Sequence, residues 1–375
     1  WCSSCRNGGM LVLCIFCKTN AVCTECIDFK FDEDVPSSID FQCPSCFLKN
    51  DKFGIYPFKF SSSTSTRQHW PQVLTTPLAI ISIYLEGMKD TPSIITYHHL
   101  HPWLQGNLVH IDFDFNFENS TNDFNIRLNR MLDRFENGDL KDWSRFFIFI
   151  MTHSDPKTGY VHIAPNNTGS VPVGELLPVI FSPRFQHILH RSNSNILNLL
   201  SCGALSTRED SKAAVQDFAD TNLFSKILCF SQADFQPSFT HGFVMDIGLH
   251  LFIYNRIKLD HILQEQQELG AHTNIVEFQP GKTLTFMWTH PGARPMGVGV
   301  SNQCFRCNRL KTMKPTSNQL NSEITLQCTI CNFSKIFYFP SGWKWICGPP
   351  TRGDARGAWM VFTDVRKDEN WMDTA

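Results

Sequence analysis

Hydrophobic positions along this chain fall into short runs and alternations. Between Arg145 and Ala204 two unbroken apolar runs, Phe146–Met151 and Ile196–Leu200, have the length of strands buried on both faces. Pro77–Tyr84 and Phe224–Phe230 read the same way. Val109–Phe117 alternates strictly, with Ile111, Phe113, Phe115 and Phe117 on one face and Asp112, Asp114 and Asn116 on the other, which predicts a half-buried strand. Ser120–Glu136 sets Phe124, Leu128, Met131, Leu132 and Phe135 at helical spacing, with Gly138 just beyond. Closing helices are expected over Gly242–Tyr254 and Asp260–Leu269. Strands separated by helices predict an α/β domain over residues 77–270, with a mostly parallel sheet flanked by helices. Strand-like segments return at Ile275–Phe278, Leu284–Trp288, Ile324–Gln327 and Lys335–Phe339, so residues 271–375 are expected to form a β-rich region.

Two of the apolar runs stop abruptly at residues with chemistry, His153 and Cys202. In an open parallel sheet such positions lie at the carboxyl ends of strands, where sites are built. A histidine and a cysteine on neighbouring strand ends can make a thiolate–imidazole pair, the minimum for a cysteine nucleophile. The same residues also read as a buried thiol and an unrelated loop histidine. His241 reads either as a rival base for Cys202 or as a structural residue, and Cys229, inside an apolar run, reads as core. The His110/Asp112/Asp114 face reads either as cation ligands or as a solvated strand face.

Composition narrows the class. A length of 375 residues allows two or three domains, and 42% hydrophobic against 18% charged residues is a globular balance. A net charge of −2 gives no global footprint for nucleic acid. No apolar run approaches the roughly 20 residues that span a bilayer, so no membrane role is expected, and no signal-peptide pattern is present. The chain opens at Trp1, one residue before its first cysteine, and is expected to continue upstream. Ser61–Arg67 is polar and of low complexity, the core of a linker over 61–76.

The 15 cysteines sort themselves by spacing. Cys2/Cys5, Cys14/Cys17, Cys23/Cys26 and Cys43/Cys46 are four CxxC pairs within residues 1–50, Cys304/Cys307 and Cys328/Cys331 are two more, and Cys202, Cys229 and Cys347 stand alone. CxxC pairs are metal spacing, and thiols kept for metal imply the nucleus or cytosol. A segment of about 50 residues cannot hold itself together by burial, whereas a structural zinc ion contributes about 10–16 kcal/mol. Adjacent CxxC turns do not close readily on one another. Interleaved ligation is therefore expected, with Cys2, Cys5, Cys23 and Cys26 on one ion and Cys14, Cys17, Cys43 and Cys46 on a second. Cys304, Cys307, Cys328 and Cys331 predict a zinc ribbon, making three Zn²⁺ ions in all.

Asn7-Gly8-Gly9-Met10-Leu11-Val12-Leu13 before the second pair, and Phe41-Gln42-Cys43-Pro44-Ser45-Cys46 at the last, resemble a plant homeodomain finger. Cys23 stands where that family has its single histidine, which is similar to the ADD-type finger of de novo DNA methyltransferases and a related chromatin remodeller. The resemblance implies that Met10, Leu11, Val12 and Leu13 pair with a histone H3 tail, or another peptide, by strand addition. The acidic run Asp32–Asp34 then meets a basic tail or is a solvated loop.

The middle of the chain resembles the caspase-like fold, in particular its CHAT branch. The carriers are a strand ending in His153, a turn over Asp155–Gly159, a short strand at Tyr160–Ile163, a helix, and a strand ending in Cys202, 49 positions on. The resemblance covers roughly Pro77–Leu269 and implies a cysteine peptidase acting on protein, with His153 as general base and Cys202 as nucleophile. It also implies an oxyanion site of backbone N–H groups near Ser154 and Cys202. Ser154 replaces the glycine usual after the histidine, and Leu200-Ser201 stands where an acidic residue often precedes the cysteine. Without activity, the same architecture is a pseudo-peptidase scaffold for chromatin or protein contacts.

Overall fold

In the computed structural model a nine-stranded sheet carries the chain from Leu78 to Val365. The structure describes residues 2–5, 9–18, 20–28, 40–50, 54–61, 74–192, 194–256, 258–316, 322–349 and 357–365. The acidic run Asp32–Asp34 and the linker sequence after Ser61 up to residue 73 lie outside the described residues.

The strands are β1 (Leu78–Leu85), β2 (Leu108–Phe115), β3 (Arg145–Met151), β4 (Ile196–Leu200), β5 (Lys226–Phe230), β6 (Ile275–Gln279), β7 (Lys282–Thr289), β8 (Trp343–Trp345) and β9 (Ala358–Val365). Their order in the sheet is β2-β1-β3-β4-β5-β6-β7-β9-β8. The first five run parallel. The remainder continue the sheet antiparallel. The strands expected to open a β-rich region at residue 271 therefore join the central sheet. Gln279 and Lys282 pair across a tight turn that holds Gly281 at φ +75°, so β7 must fold back beside β6. Among the described residues only Met313–Pro315, Glu323–Cys328 and Ser334–Tyr338 form a separate sheet there, around the third cysteine quartet.

Period-two alternation builds the core on both faces. Ala79, Ile81, Ile83 and Leu85 join Ile148, Ile150, Leu197 and Leu199 in one apolar cluster. Leu78, Ile80, Phe147, Phe149, Met151 and Leu200 join the other. The helix expected at Ser120–Glu136 is α2 (Thr121–Glu136), and its five predicted apolar residues are all buried on the first face. Helix α1 (Thr91–Leu100), which connects β1 to β2, packs on the second face through Leu100. Helix α3 (Glu209–Ala219) covers the first face and α4 (His241–Ile247) the second. Because the connections on either side of β1 lie on opposite faces, a crevice opens at the carboxyl ends of β1 and β3.

Two buried charges brace this frame. Arg145, at the opposite end of β3, donates to the carbonyls of Phe252 at 2.6 Å and of Thr76. Lys226 and Glu277 form an ion pair with side chains 7% and 2% exposed.

In the N-terminal finger, Leu11–Leu13 pairs antiparallel with Ala21–Cys23, and Ile27–Asp28 with Lys59–Phe60. Phe58 and Phe60 pack on the cluster of Val12, Val22, Ile27 and Phe41, so the finger's apolar centre takes in residues beyond 50. Among the described residues no helix is long and apolar enough to cross a membrane.

Candidate metal centres and catalytic cleft

Three quartets of cysteines converge, and they are the three that spacing predicts: Cys2/Cys5/Cys23/Cys26, Cys14/Cys17/Cys43/Cys46 and Cys304/Cys307/Cys328/Cys331. All four sulfurs in each quartet lie within 4.8 Å of one another. Tetrahedral zinc with Zn–S bonds of about 2.3 Å requires sulfur–sulfur edges of about 3.8 Å. Cys5–Cys23 at 3.6 Å, Cys17–Cys43 at 3.8 Å, Cys304–Cys331 at 3.6 Å and Cys307–Cys328 at 3.8 Å meet that requirement. The finger strand Leu11–Leu13 sets the interleaving, because the turns at its two ends feed different quartets.

The backbone is arranged for thiolates. The N–H groups of Ser4 and Cys23 donate to the Cys2 sulfur at 3.3 and 3.2 Å. In the ribbon, Arg306 and Cys307 donate to Cys304, and Ile330 and Cys331 to Cys328. The N–H of Cys331 and the hydroxyl of Thr312 lower the Cys328 thiol to about 6. Burial and the neighbouring Cys5 instead push the Cys26 thiol up to about 12. A few thiolates thus form readily, and their charge suppresses the rest. A divalent cation relieves that repulsion, so the three quartets fit three zinc ions.

The central cleft is built from strand ends. Thr152 N–H still donates to the Leu200 carbonyl at 3.2 Å, continuing the β3–β4 ladder to the edge of the site. Beyond it, His153 and Cys202 both line a cleft of about 440 Å³ with Met88, Pro92, Phe235 and His241. A tight turn returns the chain after His153. Asp155 accepts from the N–H groups of Lys157 and Thr158, and Gly159 closes the turn at φ +77°. The returning strand Val161–His162 then clamps the histidine, with His162 N–H donating to the His153 carbonyl at 2.9 Å.

His162 is the residue that sequence reasoning missed. Its ring centroid lies 6.1 Å from that of His153, nearly at right angles, and its Nδ1 is buried with no partner. Its position in the short second strand was the available signal. His153 is exposed at the cleft, and partial desolvation, with His162 second, lowers its pKa below the ordinary histidine value. At neutral pH the imidazole is therefore uncharged and can accept a proton. Burial also lowers His241.

Cys202 is half-buried on the second core cluster and opens into the cleft. Among the described residues no imidazole nitrogen is hydrogen-bonded to its thiol. The backbone beyond is committed: Gly203 N–H donates to the Gln232 carbonyl at 2.7 Å, so it is not free as an oxyanion donor.

Leu11 and Leu13 of the finger line a second groove, of about 480 Å³, whose far wall is Pro102–Gln105 of the central domain. Met10, Leu11 and Leu13 are exposed, while Val12 turns inward.

No protein-family model matches the chain, and comparison with curated proteins gives no match.

Proposed function

We propose that this chain is a modular zinc protein of the nucleus or cytosol. In this reading a PHD/ADD-like finger binds a peptide and a caspase-like central domain cleaves protein substrates with His153 and Cys202. The observation that carries the reading is that both residues leave neighbouring parallel strands and enter one cleft. A cysteine peptidase needs an accessible thiol, an uncharged base nearby and room for a peptide. His153 supplies the base and the cleft supplies the room. The thiol–imidazole contact closes when substrate enters, as such contacts often do.

The exposed edge of Leu11–Leu13, with a groove beside it, supports strand addition by a basic peptide such as a histone H3 tail. Zinc in each quartet supplies folding free energy rather than chemistry, since four thiolates leave no open coordination position. An electrophilic peptide probe tests the enzyme reading. Labelling confined to Cys202 and abolished by His153→Ala supports it, and no labelling of Cys202 rejects it.

A second reading, the pseudo-peptidase scaffold, is favoured by one observation: among the described residues no imidazole is hydrogen-bonded to the Cys202 thiol. Under it the finger still binds peptide while Cys202 alkylates no faster than an ordinary exposed thiol.

A further inference from the structure

The solvent-side edge of the sheet carries a third kind of polar cluster, with no thiol in it. On β2, His110 and Asp112 point to the face covered by α1, and Asp90 approaches them from the residue just before α1. His110 Nε2 lies 3.5 Å from an Asp90 oxygen, and Nδ1 lies 3.9 Å from an Asp112 oxygen. One ligand atom from each residue falls within 4.8 Å of the other two.

Three further observations single this cluster out. The next acid on the strand, Asp114, is neutralised by Arg127 at 2.5 Å. Among the described residues, Asp90 and Asp112 have no lysine or arginine partner; their only ion-pair neighbour is His110. Ser82, directly across the β1–β2 ladder from Asp112, shares its face, is fully buried, and has a hydroxyl with no hydrogen-bond partner. Two neighbouring carboxylates, one of them buried, beside an orphaned hydroxyl form a site with negative charge and an unused oxygen.

We propose that Asp90, His110 and Asp112 bind a divalent cation of the manganese type. Two carboxylates and one imidazole make a donor set without thiolate that manganese accepts, while the three zinc ions stay with the softer cysteine quartets. Bonds of about 2.2 Å put neighbouring donors about 3.1 Å apart. His110 now turns Nε2 toward Asp90 and Nδ1 toward Asp112, so binding through one nitrogen requires the imidazole or a carboxylate to rotate and bring the three donors in from their present spread of up to 4.8 Å. The supports are in place. Ser93 Oγ sits 2.9 Å from His110 Nε2, and Tyr84 donates to Asp112 at 3.1 Å, holding two ligands in orientation. Asp112 is the exposed member, so water completes the shell on that side. A bound ion ties the edge strand β2 to the start of α1, where Thr91 and Pro92 form part of the cleft wall. The strand alternation places His110 and Asp112 on one face but also offers Asp114. The structure removes Asp114 to Arg127 and brings in Asp90.

The test is a Mn²⁺ titration of the zinc-loaded chain, followed by loss of the free-ion electron paramagnetic resonance signal. One Mn²⁺ per chain is expected, with zinc content unchanged. His110→Ala and Asp112→Asn should each weaken binding at least about ten-fold, whereas Asp114→Asn leaves it unchanged. Asp112 is surface-exposed, so its variant tests the site without threatening the fold; circular dichroism checks both. Absence of saturable binding below millimolar Mn²⁺ overturns the proposal. So does binding that survives both ligand substitutions, or that falls equally with Asp114→Asn.

Discussion

The Ser154 hydroxyl donates to the Cys202 carbonyl at 2.8 Å. The Ser154 side chain thus laces the two strand ends together. Ser154→Ala should cost about 0.5–1.5 kcal/mol, the net value of one hydrogen bond. Urea unfolding measures that loss. If the bond also positions the cysteine, alkylation of Cys202 slows in the same variant, while the buried Cys229 stays protected.

Partial desolvation, and secondarily its neighbour His162, lower the pKa of His153, although the residue stays exposed to the cleft. Its folded pKa lies below the ordinary value of about 6.5, so it remains a proton acceptor through neutral pH and loses that capacity only in more acidic solution. The native chain should alkylate Cys202 about ten-fold faster at pH 7 than His153→Ala. That advantage should vanish as the pH falls below the usual histidine range. A rate ratio near one at every pH would remove His153 as the base; His241→Ala then separates a different base, if the rate falls, from the scaffold reading, if it does not.

Zinc removal should act locally. Metal analysis is expected to find three ions per chain, and Cys14→Ser should remove one of them. Because metal binding is folding free energy in so small a unit, the finger then loses its amide protection. The thermal transition of the central sheet should not move. Hydrogen exchange separates the two regions.

Gly203 follows the nucleophile candidate with almost no clearance. A Cβ there would stand 2.0 Å from the Ser231 carbonyl oxygen. Gly203→Ala should therefore destabilise by about 1–3 kcal/mol, the usual range for overpacking, and should displace Cys202. Denaturation and probe labelling together read both effects.

Lys226 and Glu277 are buried against each other between β5 and β6. Lys226→Met leaves the buried Glu277 carboxylate with the neutral Gln279 amide in place of its counter-charge and should cost about 3–5 kcal/mol. Adding Glu277→Leu removes that charge and should recover most of the loss, as a double-mutant cycle would show.

Sequence by itself determined the elements whose signal is local. The apolar runs of β3 and β4 and the helical spacing of Phe124 through Phe135 required no knowledge of neighbours, because strand and helix periods are properties of the backbone. The twelve paired cysteines were legible for a related reason: a CxxC turn presents two sulfurs to one point wherever it occurs. The tertiary structure decided what depends on residues distant in sequence. It placed His162 beside His153 through a returning strand, and it gave Ser154 a partner 48 residues away. It carried β6, β7 and β9 into the central sheet, since sheet membership is settled by which edge is free to pair. It also exchanged Asp114 for Asp90 around His110, because charge pairing follows distance in space.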